Sequence, residues 1–157
     1  MMVLHQSRRI LYSVCQTFAG DNVDDMKDLY QDIVFNLWRG WKHFRNKSAV
    51  TTWVYRIALN TAMDLRKRRR RREIIVPMSE TVANALAEES ADERIQYLYK
   101  LIDRLREEEK KLIFLYLDHM TVDQMSAIMG IRPQAVKKRL NRIKQKIKSY
   151  DEEITKK

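Results

Sequence analysis

Across 157 residues the chain holds only three glycines and two prolines. Few tight turns are therefore encoded, and no stretch alternates apolar and polar residues as a half-buried strand would. Apolar residues recur instead with a helical period of about 3.6. The expected fold class is all-α. Leu4, Ile10, Leu11, Val14 and Phe18 mark a first helix over 3–19, which Gly20-Asp21-Asn22 ends. Met26, Leu29, Tyr30, Ile33 and Leu37 mark a second over 23–38. Gly40 and the polar run 42–48 read as a loop. Val50, Val54, Ile57, Ala58, Thr61 and Leu65 give the third helix, 50–72, its buried face.

Residues 73–93 change character, with Pro77, Ser79, several glutamates and small residues, and read as an acidic linker. Within it, 79–86 has the pattern of a short helix. Four further helices follow. Ile95, Leu98, Ile102 and Leu105 mark one, and Leu112, Ile113, Leu115 and Tyr116 a shorter one. Thr121 then reads as an N-cap with Gln124 as its capping-box partner, on a helix carrying Val122, Met125 and Ile128 that stops at Gly130. Pro133 opens the last helix, whose core face is Val136, Leu140, Ile143 and Ile147. The chain thus divides into a helical domain over 1–72, the linker, a second helical domain over 94–150, and a tail over 151–157.

Lysine and arginine number 31 against 21 acidic residues, a net charge of +10, which favours a polyanionic partner. The charge is not evenly spread. The third helix begins with Trp53 and Tyr55 and ends in seven consecutive cations, Arg66 to Arg72. Aromatic faces stack on unpaired bases and cations track phosphates, although a core tryptophan followed by a solvated basic tail would have the same pattern. The second helix is acidic: Asp24, Asp25, Asp28 and Asp32 lie opposite its apolar stripe, with Gln31 nearby. Aspartate in a first turn is favoured by roughly 0.3–1 kcal/mol. That accounts for Asp24 and Asp25 but not for Asp32, two turns in. Such a face suits a basic protein surface better than DNA.

Residues 121–146 have the grammar of a helix-turn-helix, a short capped helix followed by a glycine turn and a longer basic helix. Gln134, Lys137, Lys138, Asn141 and Arg142 lie off the apolar stripe of the second. Glutamine and asparagine match adenine edges; lysine and arginine match guanine or phosphate. Enzymatic signatures do not appear. The histidines His5, His43 and His119 are scattered without metal-ligand spacing, and no glycine-rich phosphate loop or nucleophile elbow is present. No cofactor, metal or catalytic residue is expected. Cys15 is the one cysteine, so no intrachain disulfide forms, which fits a reducing compartment. No signal peptide and no run near the ~18 apolar residues of a membrane span are evident. The expected location is cytoplasmic.

Two segments resemble a known family. Residues 28–38 (Asp-Leu-Tyr-Gln-Asp-Ile-Val-Phe-Asn-Leu-Trp), Phe44-Arg45 and 52–62 (Thr-Trp-Val-Tyr-Arg-Ile-Ala-Leu-Asn-Thr-Ala) are similar to region 2 of bacterial sigma factors of the sigma-70 family, extracytoplasmic-function (ECF) class. Met129-Gly130-Ile131 through Val136 to Arg142 is similar to their region 4. The resemblance implies a three-helix region 2 and a four-helix region 4. It implies core RNA polymerase and promoter DNA as partners, with an anti-sigma factor as a common further one. By matched position, Asp28, Gln31 and Asp32 would dock on the β′ clamp. The loop Arg45, Asn46, Lys47, Ser48 would capture a flipped −10 base, and Trp53, Tyr55, Arg56 and Asn60 would support melting and hold the non-template strand. Lys137, Lys138, Asn141 and Arg142 would read −35 DNA, and the apolar surface of 98–116 would help hold the β flap tip. The linker, if extended, reaches up to ~65 Å.

Three departures stand out. The family's region 2 usually begins earlier, which implies a shortened first helix or a start further upstream. Arg132 replaces the usual Ser or Thr cap, a loss of roughly 0.5–2 kcal/mol. The basic run is longer than usual. A stand-alone helix-turn-helix regulator would account for the C-terminal half but leave the acidic stripe and the Trp53 segment unused. A general basic RNA-associated protein would predict binding without promoter preference.

Overall fold

The computed structural model describes residues 2–20, 22–72 and 93–156, the side chains of 2, 3, 69–72, 94–96 and 99 excepted. The expected short helix at 79–86 and the linker up to residue 92 lie outside them. Among the described residues there are seven helices and no strand: α1 Met2–Ala19, α2 Val23–Trp41, α3 Val50–Arg72, α4 Glu93–Asp103, α5 Glu107–Leu117, α6 Val122–Met129 and α7 Pro133–Thr155. They fall into two compact units, the first made of the residues up to Arg72 together with Ser126–Gly130 and the second of the other described residues from Glu93 on.

In the first unit, α1, α2 and α3 pack pairwise on one another. Leu11, Val14, Leu29, Ile33, Val54, Ala58, Leu59 and Ala62 are almost fully buried; on α3 the buried side is rotated from the expected stripe, taking in Leu59 and Ala62 while Val50, Ile57 and Leu65 are only half-buried. Burying a leucine- or isoleucine-sized side chain contributes about 1.5–3 kcal/mol, so this small core is held by the sum of many such terms. Asn22 caps α2: its Oδ1 accepts from the Asp24 N–H at 3.0 Å and the Asp25 N–H at 3.2 Å. A polar tie joins α2 to α3. The Asn36 amide donates to Thr61 Oγ1 at 2.9 Å, and the Thr61 hydroxyl donates to the Ile57 carbonyl at 2.7 Å.

Two expectations change here. Gly40 is helical, not a loop residue, and α2 runs on to Trp41. Glycine suits this helical position because a Cβ there would meet Trp53 Cζ2 at 3.3 Å and Ile57 Cδ1 at 3.4 Å, so its absence lets the end of α2 approach α3. Tyr30, placed in the apolar stripe by its spacing, is 36% exposed at the stripe's edge.

In the second unit, α4 and α5 pack on α7. Leu101, Leu105, Leu112, Leu115, Val136 and Ile143 form its centre. Lys110, 3% exposed, is neutralised by Asp103 at 3.2 Å and Glu107 at 3.5 Å. The end of α7 continues through most of the residues read as a tail and ties back to α4. The Tyr97 hydroxyl donates to Asp151 Oδ1 at 2.7 Å, Arg104 pairs with Glu153 at 3.0 Å, and the Arg104 guanidinium sits 4.1 Å over the Tyr150 ring. Tyr116, expected in a buried stripe, is 41% exposed and covered by Lys144 at 4.3 Å from its ring centre.

Candidate nucleic-acid and protein interfaces

The helix-turn-helix is built as its residues dictate. The Thr121 N–H donates to Gln124 Oε1 at 2.9 Å, and the Gln124 N–H donates to Thr121 Oγ1 at 3.1 Å, a reciprocal capping box. Gly130 ends α6 at φ +69°, a left-handed conformation that glycine adopts without a Cβ penalty. Pro133 takes the first turn of α7, and Arg132 at the N-cap makes no side-chain capping bond. With Val136, Leu140 and Ile143 buried, Gln134, Lys137, Lys138, Asn141 and Arg142 are all exposed together on the other side of the helix. That gives one continuous face of three cations and two amides, the groups that reach phosphates and base edges. The 98–116 segment presents less apolar surface than expected: Leu101, Ile102, Leu105 and Leu112 to Leu115 are core. What remains beside it is a cleft of about 390 Å³ between α4 and α7, lined by Tyr97, Leu98, Leu101, Lys144, Ile147 and Lys148 among others.

On α2, Asp28, Gln31 and Asp32 are exposed while Leu29, Ile33 and Leu37 are buried, so the acidic face and the core face are opposite. The same outer face carries two large aromatics that sequence reasoning passed over, Phe35 at 55% and Trp38 at 62% exposure. The Arg39 guanidinium lies 5.7 Å from the Phe35 ring centre.

The loop between α2 and α3 holds Arg45, Asn46 and Lys47 exposed and Ser48 half-buried. Asn46 adopts φ +56°, which asparagine tolerates better than most residues. The loop starts from turns in which the His43 and Phe44 N–H groups donate to the Gly40 and Trp41 carbonyls at 2.9 and 3.2 Å. Trp41, Phe44 and Trp53 then gather at its base. Trp41 stacks on Phe44 with centroids 5.6 Å apart, Phe44 tilts onto Trp53 at 5.0 Å, and Trp41 meets Trp53 edge-on at 5.9 Å.

The residues expected from α3 separate. Arg56 and Asn60 are exposed and Trp53 is half-buried. Tyr55 is 5% exposed, on the opposite side of the helix among Val54, Ala58 and Leu59. Its ring therefore serves the core and is not presented to a strand, which corrects that expectation. A cleft of about 500 Å³ runs between α2 and α3 past Arg39, His43, Asn60 and Asp64. Arg39, His43 and Asp64 carried no sequence signal of their own; only the pairing of α2 with α3 brings them together.

Comparison with known proteins agrees with both units. Residues 3–72 match sigma-70 region 2, and residues 95–147 match sigma-70 region 4. The ECF RNA polymerase sigma-E factor of Escherichia coli (strain K12) is 30% identical over 140 residues, 78% of this chain and 72% of that protein. The ECF RNA polymerase sigma factor SigG of Mycobacterium tuberculosis is 30% identical over 96 residues, 61% of this chain, and the chain spans only 26% of that relative's length. Among solved structures, the sigma factor RpoE of Bartonella quintana, crystallised with the anti-sigma factor NepR, shares the fold with a TM-score of 0.67 at 18% identity, covering 93% of this chain and 92% of that one. CnrH, solved with the cytosolic domain of CnrY, gives the same score and identity over 96% of this chain and 86% of that one. The chain belongs to the sigma-70 family, in its extracytoplasmic-function class.

Proposed function

We propose that the chain is a non-enzymatic initiation factor that binds core RNA polymerase and directs it to promoters. What carries this reading is the opposition of charge on named faces: an exposed acidic face on α2 and an exposed basic and amide face on α7, in a chain with both family regions. Asp28, Gln31 and Asp32 are the docking residues for a basic surface of the polymerase clamp. Gln134, Lys137, Lys138, Asn141 and Arg142 read −35 duplex, where bidentate base contacts discriminate by about 1–3 kcal/mol each. Arg45, Asn46, Lys47 and Ser48 capture a −10 base, with Arg56 and Asn60 along the strand. Extruding a base costs a few kcal/mol, offset by pocket contacts and stacking. An anti-sigma protein that covers these faces is a further proposed partner, by analogy with the partners crystallised with the two structural relatives.

The test is in-vitro transcription with core polymerase on a random-sequence duplex pool, followed by sequencing of the selected templates. Initiation from a shared two-element promoter is expected. Selection without initiation, or binding equally strong without core polymerase, would sink the reading in favour of a stand-alone regulator.

A further inference from the structure

The aromatic cluster under the α2–α3 loop assigns different work to its three rings. Trp53 is half-buried and flanked by Trp41 and Phe44, with Gly40 leaving room beside it. Phe44 is half-buried between the other two. Trp41 is 49% exposed, and the chain beside it is cationic: Arg39, Lys42, Arg45 and Lys47 are all exposed. An exposed indole held on a rigid aromatic base and surrounded by cations has the two parts that single-strand binding needs, a π-face for a base and charges for its phosphates. An indole fixed by its neighbours also loses little entropy when a base stacks on it.

We propose that Trp41 is the stacking platform for one unpaired base of the promoter strand, and that Phe44 and Trp53 are positioning residues that hold it. The proposal rests on the initiation reading above and deepens it. It moves the base-contacting aromatic from α3, where sequence similarity puts it, to the last turn of α2. A core-only role for Trp41 would leave half of the indole in water for no gain, whereas a strand laid along Arg39 and Lys42 would cover it.

The chain is suited to a direct test, because trypsin separates its three tryptophans. Trp38 falls in the peptide 28–39, Trp41 in 40–42 and Trp53 in 48–56. The protein is assembled with core polymerase on a promoter selected as above, with 5-iodouracil placed singly at each position of the opened non-template strand. After irradiation and digestion, one position is expected to crosslink to the 40–42 peptide. Crosslinks that reach only the 48–56 peptide, or neither, overturn the proposal. Substitution supplies a second readout. Trp41→Leu, which keeps bulk but not the π-face, should lower open-complex formation about tenfold, and Trp41→Phe should keep it within about threefold. Core binding should stay unchanged in both, with thermal unfolding as the check on folding. Leucine performing as well as tryptophan would show a packing role and sink the stacking role alone. A parent protein that initiates nowhere would sink the initiation reading and the stacking role together.

Discussion

Cys15 is a residue whose chemistry the fold changes strongly. At 2% exposure its thiol is pushed from the ordinary value of 9.0 up to about 11 by burial, which penalises the thiolate. The folded value lies above the unfolded one. The associated stability is therefore present below pH 9.0 and is lost as pH rises through about 11. At pH 8 the native protein should hold about a hundredfold less thiolate than an ordinary cysteine and label correspondingly slowly with Ellman's reagent. Fast labelling of the native protein at that pH would contradict the burial. Tyr55 makes the matching point about packing. Its truncation to alanine should cost about 3–5 kcal/mol in chemical denaturation, as buried aromatics do. Tyr55 also shows where residue-level legibility ended. Similarity to the family marks the whole run 52–62, but only the packing of α3 decides that Trp53, Arg56 and Asn60 share one side and Tyr55 faces the other.

At the level of elements, local signals were the most readable. Thr121, Gln124, Gly130 and Pro133 act through bonds within three or four residues of themselves, so their roles could be read before any packing was known. Thr121→Ala is expected to cost about 1 kcal/mol, and Arg132→Ser to add about 0.5–1 kcal/mol, each measured as a shift in the denaturation midpoint. Gly40 was misread for the converse reason. Its role is set by Trp53 and Ile57, more than a dozen residues away, and glycine near the end of a periodic stripe is otherwise a good stop signal. Gly40→Val should destabilise by about 1–3 kcal/mol through overpacking against those two side chains, with a shift in tryptophan emission as its signature. On α2, reversing Asp28 and Asp32 to lysine should weaken binding to core polymerase without altering helical content. Retained affinity in a pull-down would remove the acidic face from the docking role. Phe35 and Trp38 fall outside the stripe of Leu29, Ile33 and Leu37 and on the side of Asp28 and Asp32, so the period alone already carried their exposure.

For the molecule as a whole, charge is partitioned as much as it is accumulated. The net +10 is concentrated in α3 and α7, while α2 opens with four aspartates in ten residues. DNA affinity should therefore fall steeply and linearly on a log–log plot against salt. Acid sensitivity has a local origin in the second unit. Burial would raise the Glu109 carboxyl, but the Lys146 ammonium and the Arg106 backbone N–H outweigh it and hold it below its ordinary 4.5. Because the folded value is the lower one, this stabilisation is present above pH 4.5 and is lost as pH falls through the folded value. Glu109→Gln should be less stable than the parent at neutral pH and converge with it in acid; a constant gap across pH would contradict the pairing.

The tie between Tyr97 and Asp151 also has a consequence in time. The two partners are 54 residues apart, and the far one comes late in the chain. A ribosome making this protein completes α1, α2 and α3 at Arg72, yet the tie from Tyr97 to the end of α7 waits for Asp151, about 80 residues and roughly 4–16 s later at ordinary elongation rates. The three helices that include the acidic face of α2 can thus pack on one another on the ribosome, while α4 and the far end of the basic helix α7 are tied together only at the end of synthesis.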